Sequence, residues 1–275
     1  MKPAAFDYIR AASVEEAAEI MAKFGARARL MAGGQSLMAL LNLRLVEPEV
    51  VVDISSIGSL NAIRIDGSSV EIGAAVTQSD LLDWPKLKEE LPLLALALPR
   101  VGHFQTRNRG TVCGSIAHSD PSSELPLCLA ILEGEVELRS TGGTRRLKAS
   151  AFQTGMLATA KAPEEIVVAA RFPRRKPGEG YTFREIARRH GDFAIVALAA
   201  RASASGVRLA VGGVADRPAV LDLGGAQGAA LADALNAFAW EMGGNDDIHA
   251  TARYRRELVR RLGPKVIEEA RACLS

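Results

Sequence analysis

Apolar residues at Val14, Ala17, Ala18, Met21 and Phe24 recur at helical spacing behind Ser13, Glu16 completes a capping box, and Gly25 stops the run. The pattern predicts a first helix there. "ARARLMA" then reads as a strand, "GGQS" as a turn, "LMALLNL" as a short helix and "VVVDI" (50 to 54) as a buried strand, a β-turn-α-β unit. "SVEIGAAV" predicts another strand, with helical stretches from Ser79 and over "LPLLALALPRVG". Farther on, "SELPLCLAIL" reads as a helix, and "EVELRS", "TRRLKA" and "EEIVVAARF" as strands of a mixed sheet. The polar, Pro- and Gly-rich "PRRKPGEG" (173 to 180) marks a boundary. Beyond it, "YTFREIAR", "FAIVALAARAS" and "VRLAVGGVA" predict a three-stranded antiparallel sheet, followed by helices over "GAALADALNAFAW" and the C-terminal "HATARYRRELVRRL" to "KVIEEARACL". No fixed-period repeat interrupts this order.

Length and charge narrow the function. The 275 residues suffice for one large or two ordinary domains. Thirty-four basic against thirty-two acidic residues leave a net charge of +2, which argues against a nucleic-acid partner. No apolar run reaches the ~20 residues of a membrane span, and "MKPAAFDYIRAAS" lacks signal-peptide character, so the expected location is cytoplasmic. Cys113, Cys128 and Cys273 form no close pair and are too few for an iron–sulfur cluster.

The densest chemistry lies in "RNRGTVCGSIAHSDPSSELP" (107 to 126). As a zinc site it is poor, since Cys113, His118 and Cys128 have neither Cys-x-x-Cys nor paired-His spacing. A Cys113 nucleophile with His118 as base competes with the commoner outcome, a buried inert thiol beside Gly114. A third reading uses the backbone: around Thr111, Gly114 and Ser115 small residues let N–H groups converge on an anion. "RLMAGGQSL" offers a second such loop between a strand and a helix, although a plain tight turn also fits it. Two anion cradles suit the pyrophosphate of a dinucleotide. The first lacks the third glycine of a Rossmann fingerprint, although Asp53 lies near the ribose-acid distance, and it lacks the Gly-Lys-Ser/Thr of a P-loop.

Taken in order, "RLMAGGQSLMALLNLRL", "VGHFQTRNRGTVCGSIAHSDPSSELP", "FREIARRHGDFAIVALAA" and "DIHATARYRRELVRRL" resemble the medium, FAD-binding subunits of molybdenum hydroxylases of the carbon monoxide dehydrogenase and xanthine dehydrogenase type. The resemblance implies an α+β protein. Residues 1–175 would form a two-part FAD-binding fold of the vanillyl-alcohol-oxidase (PCMH) type, with subdomains of about 1–55 and 56–175, and 176–275 a small α+β C-terminal domain. It places Leu30, Met31, Ala32, Gly33, Gly34, Gln35, Ser36 and Leu37 around the pyrophosphate and Val101 near the flavin. Thr111, Gly114 and Ser115 would form the second cradle, Ala117, His118 and Asp120 line the nucleotide, and Glu124 supply the ribose acid. Ile166 and Arg184 would flank the isoalloxazine, with Phe193 over part of the ring face.

Each assignment has a structural competitor. His118 could satisfy loop backbone, Glu124 could be a first-turn residue facing the helix dipole, and Arg107 and Arg109 could buttress the loop. Arg184, Arg188 and Arg189 could be a solvated face, and Phe193 could be core. Cys113 stands where the family commonly has Gly, which matters if that position needs φ > 0. Gln35 replaces a His that some flavoproteins of the broader fold join to the flavin, so the expected FAD is non-covalent.

The resemblance implies an oxidoreductase subunit with no catalytic side chain and no metal ligand of its own. Electrons would leave a substrate on a large molybdenum-binding (molybdopterin) subunit, pass 2Fe-2S clusters in a small subunit and reach this FAD. From there they would go to an acceptor such as NAD, quinone or oxygen. Two rivals remain at this level: a self-sufficient FAD-dependent oxidoreductase of the same fold, and a flavin-free scaffold subunit. A nicotinamide-dependent Rossmann enzyme is disfavoured by the missing glycine.

Overall fold

A computed structural model describes residues 1–274. Strands β1 (Asp7–Arg10), β2 (Ala28–Met31) and β3 (Val50–Asp53) form a parallel sheet in the order β1-β3-β2, under the helix Val14–Phe24. Ser13 caps that helix through its hydroxyl, which accepts from Glu16 N–H, and Ala17, Ala18 and Met21 turn inward, as their spacing predicts. β1 has no counterpart in the sequence pattern because its residues are largely exposed and show no alternation. The central strand β3 is buried throughout, which explains its continuous "VVVD".

The second sheet has five strands in the order β4-β5-β10-β6-β7: β4 (Ile63–Asp66), β5 (Ser69–Gly73), β6 (Glu135–Ser140), β7 (Gly143–Lys148) and β10 (Ile166–Pro173). Every pairing is antiparallel, so the sheet is not mixed: β4-β5 and β6-β7 are hairpins, and β10 inserts between them against both. A short hairpin, β8 (Gln153–Gly155) and β9 (Ala158–Thr159), projects beside it. Against this sheet packs the helix Val112–His118; the helix Glu124–Ile131 packs on that helix and on the C-terminal strands. The second of these is apolar on all sides and buried on all sides.

The C-terminal sheet is an antiparallel meander of four strands, β11 (Gly180–Ile186), β12 (Val196–Ser203), β13 (Gly206–Gly212) and β14 (Ala219–Gly224). Three occupy the segments expected from the pattern; β14 is an added edge strand, half-exposed and therefore weakly patterned. One sheet face carries the helices Gly228–Glu241 and Ala252–Ala272 with Leu198, Leu209 and Val211 between them. The other face, with Tyr181, Phe183, Ala197, Ala199 and Ala210, belongs to the core of the preceding residues. Small alanines in β12 fit that two-sided burial. No helix among the described residues is long and apolar enough to cross a membrane.

Candidate functional site

The two glycine loops touch. A Cβ added to Gly33 would lie 2.0 Å from the Arg109 carbonyl oxygen and 2.8 Å from Gly110 Cα, so only glycine lets the first loop seat against the second. Gly34 adopts the left-handed region at φ +71° and starts the helix Gln35–Asn42, which no side chain caps. The first helical hydrogen bond is Met38 N–H to Gly34 O at 2.9 Å, so the N–H groups of Gln35, Ser36 and Leu37 leave the helix end unpaired by it. Leu30 and Ala32 pack partly on the core, whereas Gln35 is exposed. Asp53 is not a ribose acid: one carboxylate oxygen accepts from Tyr8 OH and the other from Ser55 N–H, holding β3 to β1.

The second loop is fixed from below. Gln78 N–H donates to Gly110 O at 2.8 Å and Val112 N–H to Val76 O at 3.1 Å. Thr111, buried, caps the helix Val112–His118 by accepting from Gly114 N–H at 2.9 Å. Its oxygen is thereby committed to the loop's own structure, whereas Gly114 is exposed and Ser115, Ala117 and His118 are half-exposed. Cys113 sits inside the helix without a positive φ, so a side chain there is unstrained. Its thiol donates to Ile72 O, and burial pushes it up to about 12. Such a thiol is protonated and inert, which overturns the nucleophile reading.

Val101 is buried, and Arg107 donates to Val101 O and Gly102 O at 2.9 and 3.1 Å, buttressing the approach to the second loop. Past the helix, Ser119 turns the chain at φ +53°, Asp120 accepts from Ser122 N–H at 2.8 Å, and Glu124 opens the next helix at 5% exposure. Burial pushes Glu124 up to about 8, with the charges of Glu185 and Asp120 adding to the effect.

The later positions divide. Ile166 is fully buried at the start of β10, so its side chain offers no surface to a ligand. Arg184 points away from the loops and forms a two-pronged ion pair with Glu269 of the last helix, a correction to its expected place beside the flavin. Its neighbour Glu185 faces the other way by strand alternation, toward the side of Tyr181 and Phe183. Phe193 is not core: it is 63% exposed in the β11–β12 loop, beside a pocket of about 450 Å³ lined also by Arg188, Arg189 and His249. Gly191 in that loop abuts His103, which brings Phe193's loop to the Val101–His103 segment.

Sequence reasoning missed three groups: Ser119 Oγ, Gln78 Oε1 and Glu185 Oε2, all buried with no hydrogen-bond partner. Their signal is faint, because Ser, Gln and Glu in polar segments read as solvated. Of the three, Gln78 lies against Gly110 of the second loop.

A family model for the FAD binding domain in molybdopterin dehydrogenase matches residues 4–175, and one for the CO dehydrogenase flavoprotein C-terminal domain matches 181–270. The chain belongs to the FAD-binding medium-subunit family of molybdopterin dehydrogenases. It is 36% identical to the nicotine 6-hydroxylase medium subunit of Paenarthrobacter nicotinovorans, covering 99% of each chain. Over 78% of its length it is 36% identical to the carbon monoxide dehydrogenase medium chain of Hydrogenophaga pseudoflava. A carbon monoxide dehydrogenase structure from that organism superposes on all of the chain with a TM-score of 0.94 at 30% identity. Membership of this medium-subunit family makes the protein part of an oxidoreductase with FAD as its cofactor. The uncapped helix end and the Gly33 contact fit that group.

Proposed function

We propose that this chain is the FAD-carrying electron-transfer subunit of a heteromeric molybdenum hydroxylase. A large molybdenum subunit would oxidise the substrate, a small 2Fe-2S subunit would relay the electrons, and an acceptor such as NAD, quinone or oxygen would remove them. A cytoplasmic assembly and a domain boundary near residue 175 belong to the same reading. The contact of Gly33 with the Arg109 carbonyl is the observation that carries it, since it brings two backbone cradles together.

Within that site the N–H groups at Gly34 to Leu37 would take the pyrophosphate, and Ser115, Ala117 and His118, half-exposed along the helix Val112–His118, would line the nucleotide. Glu124 would accept from the ribose or ribityl hydroxyls, and Phe193 would shield the ring. Bound FAD supplies a carrier that exchanges electrons with both one- and two-electron partners; the chain positions it and limits water around it. Gln35 has no nucleophile for a covalent flavin bond, which supports non-covalent binding.

The test is the visible spectrum of the purified chain, followed by denaturation and identification of the released chromophore. Stoichiometric free FAD is the expected result. A colourless chain that takes up no FAD even with its partner subunits would overturn the reading. Gly114→Val is a poor probe, because a Cβ there would lie 2.7 Å from the Thr111 hydroxyl and break the helix cap before it met any nucleotide.

A further inference from the structure

Three segments distant in sequence meet at the glycine pair at the end of β13. Gly213 N–H donates to Pro121 O at 2.8 Å, just beyond the Ser119 turn that ends the helix Val112–His118. A Cβ on Gly212 would come 3.0 Å from the same Pro121 oxygen. One on Gly213, at φ +80°, would come 2.8 Å from Ile195 O and 3.0 Å from Ala194 O. Close backbone approach therefore disfavours a side chain at either position, toward the nucleotide helix from Gly212 and toward the end of the Phe193 loop from Gly213.

One side chain closes this junction. Arg255, in the first turn of the helix Ala252–Ala272, donates from Nη1 to Ile195 O at 2.6 Å and to Gly213 O at 2.7 Å, and from Nη2 to Asp247 at 2.6 Å. The place is unfavourable for a cation, since it is 5% exposed and lies near the positive end of the helix dipole. Asp247 is half-exposed and is already held by His249 and Ala250 N–H, so an arginine serving that ion pair alone would turn outward with it. Arg255 turns inward instead, and its fork closes on two backbone carbonyls, a geometry that a single ammonium does not reproduce.

We propose that Arg255 is a positioning residue for the nucleotide site. Through Gly213 it holds Pro121, and with it the outer end of the helix Val112–His118, in the arrangement that binds FAD. The proposal rests on the reading of that helix as part of the FAD site. The same guanidinium holds Ile195, where the Phe193 loop ends, so the last helix sets both segments from one point. Arg255 itself touches no ligand. It acts through a continuous chain of hydrogen bonds, and coupling of this kind is reciprocal: a junction that favours bound FAD is tightened by FAD.

Hydrogen exchange on the full wild-type chain, read by mass spectrometry, tests this without any substitution. Adding FAD should slow exchange in the peptides that carry Gly213 and residues 119–122, and leave the edge strand β14 unchanged. Unchanged exchange at Gly213 overturns the proposal, whether or not any variant folds. Two variants then separate positioning from plain stability. Asp247→Asn removes the ion pair but keeps the two carbonyl contacts and an oxygen for His249 and Ala250 N–H, whereas Arg255→Lys keeps the charge and loses the fork. Both should lower the melting temperature. Only Arg255→Lys should weaken FAD, by about tenfold, and speed exchange at 119–122 in the FAD-free chain. Equal FAD affinity in the two variants makes Arg255 a structural residue and overturns the proposal. A chain that takes up no FAD fails the FAD reading first and the proposal with it; failure of the junction alone shows as unchanged exchange at 119–122 in Arg255→Lys.

Discussion

Replacing Gly33 with Ala isolates the contact on which the site depends. The new Cβ would sit 2.0 Å from Arg109 O, against a normal carbon–oxygen approach of about 3.3 Å, so the loops must part by roughly 1.3 Å. Nothing at the contact can yield cheaply, because the opposing atoms are backbone of Arg109 and Gly110, and Gly110 is itself pinned by Gln78 N–H. Overpacking of this kind costs about 1–3 kcal/mol, which, felt by the bound state, weakens FAD by roughly 5- to 150-fold. Titration of FAD into flavin-free protein, followed by quenching of flavin fluorescence, gives the affinity, and a thermal melt gives the stability. Gly58→Ala serves as control, since a Cβ there meets nothing within 4 Å. Gly34→Ala separates backbone strain from loop contact: its neighbours lie at 3.5 Å, and only the left-handed φ of +71° penalises it. Wild-type FAD affinity and melting temperature in Gly33→Ala would refute the argument that the two loops form one site.

Glu124 and Glu185 both lie above the free carboxyl value, so the folded state binds protons more tightly than the unfolded one. Their stabilisation is complete below about pH 4.5 and is lost as pH rises through 7 to 8. Melting temperature should therefore fall across that window, and fall less in Glu124→Gln; a parallel decline in both proteins would contradict it. Native protein should expose only Cys273 to a thiol reagent, with Cys113 and Cys128 reacting after unfolding, as counted by mass spectrometry. Arg184→Ala should keep FAD affinity and cost about 1 kcal/mol or less, since its ion pair with Glu269 is half-exposed; a large loss of FAD in equilibrium dialysis would return Arg184 to the flavin site. Arg171→Ala should cost more, about 2–4 kcal/mol by chemical denaturation, because the buried guanidinium ties β10 to Glu71 of β5 and Asp66 of β4.

The parts of the fold that the sequence reveals are those with a strong local rule. The helix behind Ser13 has a cap, a period and a glycine stop, and β3 and β12 begin with apolar runs, Val50–Val52 and Val196–Ala200. The edge strands β1 and β14 are hidden because their residues are half-exposed and lack alternation, and tertiary pairing alone makes them strands. Sheet direction was equally illegible, since nothing local says that β10 will enter between two hairpins. The same holds at the site. Gly33, Gly34 and Thr111 announce turns and caps, but the direction of Arg184 versus Glu185 depends on which face of β11 the rest of the chain covers. A one-residue shift in that reading exchanges an exposed arginine for a half-buried acid.

That exchange follows from how the C-terminal sheet is used. An antiparallel sheet with one wet face would alternate, and Glu185 would then stand in water as an ordinary carboxylate. Here both faces are covered: Leu198, Leu209 and Val211 meet the last two helices, while Tyr181, Phe183, Ala197 and Ala210 complete the core that also holds the helix Glu124–Ile131. The glycine cradles come from the first 115 residues, yet Glu185 and the loop bearing Phe193 come from the C-terminal strands. Gly191 packed on His103, and Glu185 acting on Glu124, tie the two contributions together. Gly33 is held to glycine by a backbone contact between the two loops, whereas Glu124 and Glu185 are side chains that the fold keeps out of water. Burial of those acids therefore depends on docking of the C-terminal strands, and their charge state is set by that packing rather than by the glycine loops.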